Sequence, residues 1–254
     1  MSMMPNPSGA KLLLAIIAVL FIGLSKAGFG GGLGILTTPL CAFAFGPQYA
    51  LGILLPLLCA GDGFSLHQYW RKWDVRNLWF LLPGVVIGVL VGVSLFKRFS
   101  PRQLNFIIGL IAVCFVLFHL TKEKLLRARA RFSPSYGTGI PFGIGAGITS
   151  TFAHGAGPVV TLFLLPQKMV KEIYVGTNVL VFTWINWIKF PFFVGNGQIT
   201  GASMKASLAF LPLVPIGVWL GVWLNRRIPD QHFRWFIYFF TFLAGLQLMF
   251  DFRW

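Results

Sequence analysis

The sequence predicts an all-α, polytopic integral membrane protein made of two related halves. Three observations support this prediction: 56% of the 254 residues are hydrophobic and only 11% are charged, ten apolar segments follow one another, and the second half repeats features of the first. Soluble domains carry roughly 25% charged residues. A chain this apolar cannot be wetted on all sides, whereas apolar segments of about 20 residues match the thickness of a bilayer.

The apolar segments divide equally around one long basic stretch, Lys122 to Arg131. The segments cover residues 12–27, 33–46, 48–70, 77–96 and 104–121 before it, and 136–153, 156–166, 173–195, 206–225 and 233–250 after it. We therefore assign an N-terminal repeat to residues 1–121, a basic junction loop to residues 122–135, and a C-terminal repeat to residues 136–254.

The two halves repeat in register. A Leu-Pro pair, two glycines four residues apart and a double cation recur 129 positions later, and earlier in each half the offset is 124. The matched positions include Leu82 and Leu211, Gly88 and Gly217, Gly92 and Gly221, Gly23 and Gly147, Gly52 and Gly176, and Asp62 and Asn186. The glycine pairs indicate faces for close helix packing. Internal repeats of this size are typical of secondary transporters.

The number of segments per half predicts that the repeats are inverted. Five segments is an odd number, so the second half enters the membrane from the opposite side. With the junction in the cytoplasm, thirteen of the 21 Lys and Arg residues fall on the cytoplasmic side and six on the other. This asymmetry follows the positive-inside rule, with both termini outside the cytoplasm. The remaining two cations, Lys26 and Lys189, lie within apolar segments.

The second segment of each half is short, and glycines precede it. Residues 28–34 read GFGGGLG and residues 152–158 read FAHGAGP. Short, broken segments at matching positions indicate a transporter's binding site near the midplane. Glycines bring backbone N–H groups within reach of a ligand, and a helix that begins after such a turn presents free donors to an anion. The alternative is that these glycines only allow helices to pack closely.

Three ionisable residues lie within apolar segments, where a charge costs about 2.5–3.5 kcal/mol on insertion scales. Lys26 and Lys189 are candidate anion ligands, unless their long side chains extend to the membrane surface instead. Asp62 is a candidate proton-coupling group, because its counterpart Asn186 cannot titrate. The alternative for Asp62 is a structural hydrogen-bond centre.

His154, in the second break, could donate to an anion, titrate, or simply cap or pack a helix. Hydroxyl and amide side chains near the breaks, including Ser25, Thr38, Ser150 and Thr151, offer neutral donors. The residues that we predict to bind the substrate are Lys26, Gly28, Gly30, Gly31, Gly32, Thr37, His154, Gly155, Gly157, Asn178, Asn186 and Lys189.

The order of these motifs resembles the sulfite exporter TauE/SafE family over nearly the whole chain. The resemblance rests on the GxGGG break followed by Pro39, the GAGP of the second break, and Val175-Gly176-Thr177-Asn178 leading to Asn186 and Lys189. It implies export of a small sulfur oxyanion or organosulfonate, such as sulfite or sulfoacetate, through a bacterial inner membrane with an ion gradient as the energy source. The second break departs from the family pattern, since His154-Gly155-Ala156-Gly157 replaces a fuller glycine run.

Composition argues against several other classes. The net charge of +15 lies in short loops between apolar segments, which points to lipid headgroups and a small anionic substrate rather than to nucleic acid. No His, Cys and carboxylate set has metal spacing, and no cofactor motif is present, so we expect neither. An anion channel remains open as an alternative, as do proton or sodium coupling. A membrane-embedded enzyme is less favoured, because acids are few and no GxSxG-like element occurs.

Overall fold

The computed structural model describes residues 9–26, 36–127, 133–227 and 230–250, and within these ranges it contains helices and no strand. The helices of the first half are α1 (Gly9–Lys26), α2 (Thr37–Phe45), α3 (Pro47–Gln68), α4 (Val75–Phe96) and α5 (Pro101–Arg127). Those of the second half are α6 (Tyr136–Ala153), α7 (Gly157–Leu164), α8 (Lys171–Gly195), α9 (Gly201–Phe210), α10 (Leu213–Arg227) and α11 (Asp230–Phe250). The prediction of an all-α membrane protein is confirmed.

Several helices have the length and apolarity of membrane spans. Among the described residues, α3, α4 and the Pro101–Thr121 part of α5 can each cross a bilayer, and α9 with α10 would form a fourth span bent by 41°. Helices α2 and α7 are short, with nine and eight residues. At 1.5 Å per residue they reach only about 12–14 Å, well below the ~30 Å hydrocarbon core.

The predicted segment at 206–225 is two helices instead of one. Helix α9 ends at Phe210 and α10 begins at Leu213, with Pro212 between them. Proline has no N–H group, and its ring clashes with the carbonyl four residues earlier. The amide of Leu211 donates instead to the Leu208 carbonyl at 3.3 Å, a tighter turn that ends the helix. The apolar segment predicted there is therefore divided by a bend at Pro212.

The glycines that recur between the halves make equivalent contacts in the structure. A Cβ atom at Gly147 would meet the Val85 carbonyl oxygen at 2.6 Å and the Val89 amide nitrogen at 2.8 Å. A Cβ atom at Gly23 would meet the same two backbone atoms of Val214 and Val218, which lie 129 positions after Val85 and Val89. Helix α1 therefore packs on α10 as α6 packs on α4. The repeat found in the sequence extends to the packing, and each half packs its first helix against the other half.

The central helices α3 and α8 run in opposite directions. Gly52, near the start of α3, lies against Gln198, just after the end of α8, while Gly176, near the start of α8, lies against Lys72, just after the end of α3. These two helices are counterparts at the 124-residue offset. Antiparallel counterparts favour the predicted inverted relation, although the axis that relates the complete halves stays a prediction.

One end of the bundle is held together by polar contacts, which we call the polar lock. The Gln167 side chain donates to Asn77 Oδ1 at 2.8 Å, and Asn77 donates to Asp74 Oδ2 at 3.0 Å. The Asp74 amide donates to the Thr177 hydroxyl at 2.9 Å. Lys72 and Glu172 add an exposed ion pair at 3.0 Å. The polar lock joins the α3–α4 loop and the start of α4 to the segment that connects α7 and α8 and to the first turns of α8.

We expect alanine at Gly88 to destabilise the protein by about 1–3 kcal/mol, the usual cost of overpacking. A Cβ atom there would collide with the backbone carbonyl of Ile144 on α6, which cannot move as a side chain can. Thermal unfolding of detergent-purified Gly88→Ala against the native chain measures the effect. Gly63→Ala is the control, because a Cβ atom at this exposed position of α3 meets nothing within 4 Å. Equal losses in the two variants would contradict the packing described above.

The two ends of the bundle should face opposite sides of the membrane. Cys114 is the one exposed cysteine among the described residues and is replaced by serine in the test. In this background, a thiol at Lys72→Cys should react with an impermeant reagent only from the cytoplasm. A thiol at Lys97→Cys, after the end of α4, should react only from the other side. Labelling of intact and inverted vesicles measures both. Reaction of both thiols from one side would exclude the predicted topology.

Candidate functional site

The most deeply buried cation among the described side chains is Lys189, in the middle of α8. Its side chain is 0% exposed, so it does not extend to the membrane surface. The ammonium nitrogen lies 2.8 Å from Ser150 Oγ, 3.2 Å from the Ser150 carbonyl oxygen and 2.9 Å from His154 Nδ1. These contacts use all three ammonium donors. A buried charge is tolerated only when it is paired in this way.

His154 follows the last residue of α6 and closes the helix in a left-handed conformation, with φ of 50°. Its ring Nε2 lies 3.3 Å from the Leu51 carbonyl oxygen on α3. Because a lysine ammonium has no lone pair, Nδ1 accepts from Lys189 and Nε2 carries the hydrogen that donates to Leu51. We infer that His154 is held as one neutral tautomer. It connects α3, α6 and α8 at the second break.

Asp62 and Asn186 contact each other directly. Asn186 Nδ2 donates to Asp62 Oδ2 at 2.7 Å, and both side chains are buried. These two residues are counterparts in the repeat, 124 positions apart. Under the predicted two-fold relation, counterparts could touch only close to the axis, so the pair would lie near that axis. The Asp62 carboxylate also interacts electrostatically with Lys189, one turn of α8 beyond Asn186.

A small cavity lies beside these residues, with a volume of about 50 Å³. We call it the central cavity. It is lined by Ile22, Ser25, Leu58, Ser150, His154, Ala156, Gly157, Phe182, Ile185 and Asn186. A mostly apolar wall with a few polar groups is typical of small-ligand sites. Since a buried water needs at least 10–15 Å³, the cavity has room for a few waters or one small anion.

The second break forms one wall of the central cavity, and its two glycines have different roles. The Gly155 amide donates to the Thr149 carbonyl at 3.3 Å, so Gly155 shapes the turn and its N–H group is already used. Gly157 is the first residue of α7 and lines the cavity. The first N–H groups of a helix have no partner within the helix. The start of α7 thus presents its positive end to the cavity.

The flanks of the two breaks meet. Thr38, in the first turn of α2, donates from Oγ1 to the carbonyl of Ala153, the last residue of α6, at 2.8 Å. Thr37 precedes it at the start of α2 and is fully buried. The glycines of the first break, Gly28, Gly30, Gly31 and Gly32, lie outside the described residues. Lys26 is the last residue of α1, and its side chain also lies outside the described part.

The structure brings some predicted residues together and leaves others apart. His154, Asn186, Lys189 and Asp62 form one connected group with Ser150 at the central cavity. Asn178 does not belong to it: its side chain donates to the Tyr174 carbonyl of its own helix at 3.0 Å, two turns before Asn186. The prediction named Ser150 only among several neutral donors. A sharper signal was available, because Ser150 stands at the position that matches Lys26 in the repeat.

Comparisons with known proteins agree with the geometry. The model of the family "Sulfite exporter TauE/SafE" matches residues 15–248. The probable inner membrane transporter protein TsaS of Comamonas testosteroni is 27% identical over 199 residues, which cover 76% of this chain and 78% of TsaS. A phosphatidylglycerol–prolipoprotein diacylglyceryl transferase of Escherichia fergusonii is 24% identical, covering 76% of this chain and 93% of the enzyme.

No solved structure matches the chain. The family match covers more than nine-tenths of the sequence, TsaS is by name an inner membrane transporter, and the apolar helices of this chain are long enough to cross a membrane. The chain is therefore a member of the sulfite exporter TauE/SafE family and an integral transport protein of the inner membrane.

Proposed function

We propose that the protein is a secondary transporter that exports a small sulfur-containing oxyanion or organosulfonate, such as sulfite or sulfoacetate, and binds it in the central cavity. The observation that carries the proposal is the fully buried cation Lys189, whose partners Ser150 and His154 line that cavity. A buried cation beside a cavity attracts anions far more strongly than one exposed to water, because the local dielectric constant is low.

The anion would contact neutral donors rather than the lysine itself. Since Ser150 Oγ accepts from Lys189, its own hydroxyl hydrogen is available to the cavity. Asn186 donates one amide hydrogen to Asp62 and has a second one. Together with the first amides of α7, these groups would hold the oxygen atoms of an oxyanion. Lys189 would supply the balancing charge from behind Ser150.

The first break would complete the opposite wall. Thr38 connects the start of α2 to the end of α6, so the chain that follows the first break meets the chain that precedes the second. We propose that Lys26 and the glycines Gly28, Gly30, Gly31 and Gly32 contribute to the same site, with Thr37 and Gly155 shaping it. Asn178 is a weaker candidate, because its amide is engaged within α8.

Two alternative functions predict different behaviour. An anion channel would give a passive, non-saturating flux, whereas a carrier saturates and follows a coupled gradient. A membrane enzyme would need a reactive group with a free base. Both ring nitrogens of His154 are engaged, by Lys189 and by Leu51, so His154 is not placed to activate Ser150. The geometry therefore favours a transporter over a serine-based enzyme.

Removing the Lys189 charge should weaken anion binding by about tenfold or more, the usual loss when a partner in a charged interaction is removed. Saturable flux of radiolabelled sulfite in proteoliposomes measures the effect in Lys189→Met. The matched control is Lys205→Met, the same change at an exposed position of α9. A native chain without sulfite flux would refute this substrate. Wild-type affinity in Lys189→Met would refute the site.

We further propose that Asp62 couples transport to protons. It is the acid beside both Asn186 and Lys189, and its counterpart in the repeat is a neutral amide. Asp62→Asn should keep anion binding within a few-fold of the native chain and abolish the response of flux to a pH gradient. Equilibrium binding and pH-driven flux, measured on the same preparation, separate the two effects. Native pH-driven flux in Asp62→Asn would show that the residue is structural.

A further inference from the structure

A second cavity lies at the end of the bundle opposite the polar lock. Its volume is about 600 Å³, more than ten times that of the central cavity. Three connections form it: the α2–α3 turn, the end of α4 with the start of α5, and the α8–α9 loop. We call it the vestibule. Its polar lining residues are Gln48, Tyr49, Lys97, Asn196, Gln198 and Thr200.

The chemistry of the vestibule favours anions. Lys97 is the one charged residue that lines it, and the other polar lining residues are amides and hydroxyls, which can donate hydrogen bonds. Two polar atoms of these residues, the Tyr49 hydroxyl and Gln198 Oε1, are buried without a hydrogen-bond partner. The Tyr49 hydroxyl can donate to an anion, whereas Gln198 would have to present its amide nitrogen instead of Oε1. An unpaired buried polar atom is costly, so a donor in this wall that gains an anionic partner is stabilised.

The shape of the vestibule depends on two glycines. Gly46 and Gly197 line it with φ of 83° and 72°, a conformation that other residues rarely adopt. The two glycines shape the α2–α3 turn and the α8–α9 loop. Because glycine has no side chain, neither residue fills the space of the vestibule. The two loops come from different halves of the molecule.

Contacts link the wall of the vestibule to residues next to the central cavity. Phe96, in the vestibule wall, stacks on Phe152 in the last turn of α6, with ring centroids 6.0 Å apart. Phe152 lies two residues before His154. On the other side, Tyr49 is two residues from Leu51, whose carbonyl accepts from His154. The vestibule wall therefore contacts the end of α6, and residues of α3 line both the vestibule and the central cavity.

We infer that the vestibule is a second anion-binding site, where a small oxyanion or sulfonate rests beside Lys97 on its way to or from the central cavity. The identity of the anion rests on the proposed function, whereas the site itself rests on the shape and lining residues of the vestibule. A cation in a cleft with low-dielectric walls raises the local concentration of anions and is sensitive to salt. Lys97 therefore affects access to the central cavity and not the binding there.

Thiol labelling tests this site without any transport. The full chain carries Cys114→Ser and Gln198→Cys, and is treated in proteoliposomes with two thiosulfonate reagents of similar size, one bearing a sulfonate and the other a trimethylammonium group. The chain with Cys114→Ser alone gives the background rate. Where Gln198→Cys lowers the yield of folded protein, Asn196→Cys on the same wall takes its place.

We expect the sulfonate reagent to react faster than the cationic one at low salt. Adding Lys97→Gln should slow the sulfonate reagent and speed the cationic one by about threefold each, the effect of one charge at this range in a partly wetted cleft. Arg98→Gln is the matched control: it removes a neighbouring exposed cation that does not line the vestibule. Inorganic sulfate should slow the sulfonate reagent more than chloride of equal ionic strength, and only while Lys97 is present.

Three results would overturn the inference: rates that do not depend on reagent charge, equal effects of Lys97→Gln and Arg98→Gln, or sulfate that acts no differently from chloride. The last two would indicate a general surface charge and no binding site. Since the readout is labelling, a chain that fails to move sulfite would refute the proposed substrate and leave this result standing.

Discussion

The buried ammonium group of Lys189 is the constraint on which the centre of the molecule depends. An isolated charge at this depth costs several kcal/mol, and it is tolerated only if partners are fixed around it. Those partners come from α6, through Ser150 and His154, and from α3, through Asp62. Satisfying one charge therefore sets the distance and rotation of three helices. The central cavity is the space that remains beside this arrangement.

The choice of Lys189, Asp62 and Asn186 could be made from the sequence because polar residues at membrane depth are rare and expensive. Residue type alone could not rank Ser150 above its neighbours, since a hydroxyl inside a helix can bond to its own backbone at little cost; only its match to Lys26 in the repeat distinguishes it. Nor could it place Asn178, whose side-chain amide donates to a backbone carbonyl of its own helix. Whether a side chain forms a hydrogen bond to its own helix or to a neighbouring one depends on how the helix is rotated about its axis. Apolar periodicity alone does not determine that rotation.

Most helix boundaries followed the apolar segments within a few residues. Helix α5 continues to Arg127, six residues into the predicted junction loop, and the break within the segment 206–225 has a local cause. Both halves contain a Leu-Pro pair, yet Pro83 lies inside a continuous α4, whereas Pro212 separates α9 from α10. The residue after Pro83 is Gly84, which brings α6 into backbone contact at that point. Its counterpart in the second half is Leu213, whose larger side chain does not allow a neighbouring backbone to come as close. Contact with a neighbouring helix decides whether a proline kinks or divides a helix, and that contact is not visible in either segment alone.

The residues that the second half contributes to the polar lock are not repeated in the first half. At the 124-residue offset, Gln167, Glu172 and Thr177 correspond to Phe43, Gln48 and Ile53, none of which carries a charge. The two halves share the packing of their helices but not the polar contacts at their ends. In a carrier with two access states, any interaction made in only one of them shifts the balance of populations towards that state. In the proposed carrier, the polar lock would favour the state that is closed at this face, and ligand or ion binding at the centre would have to supply the free energy that opens it.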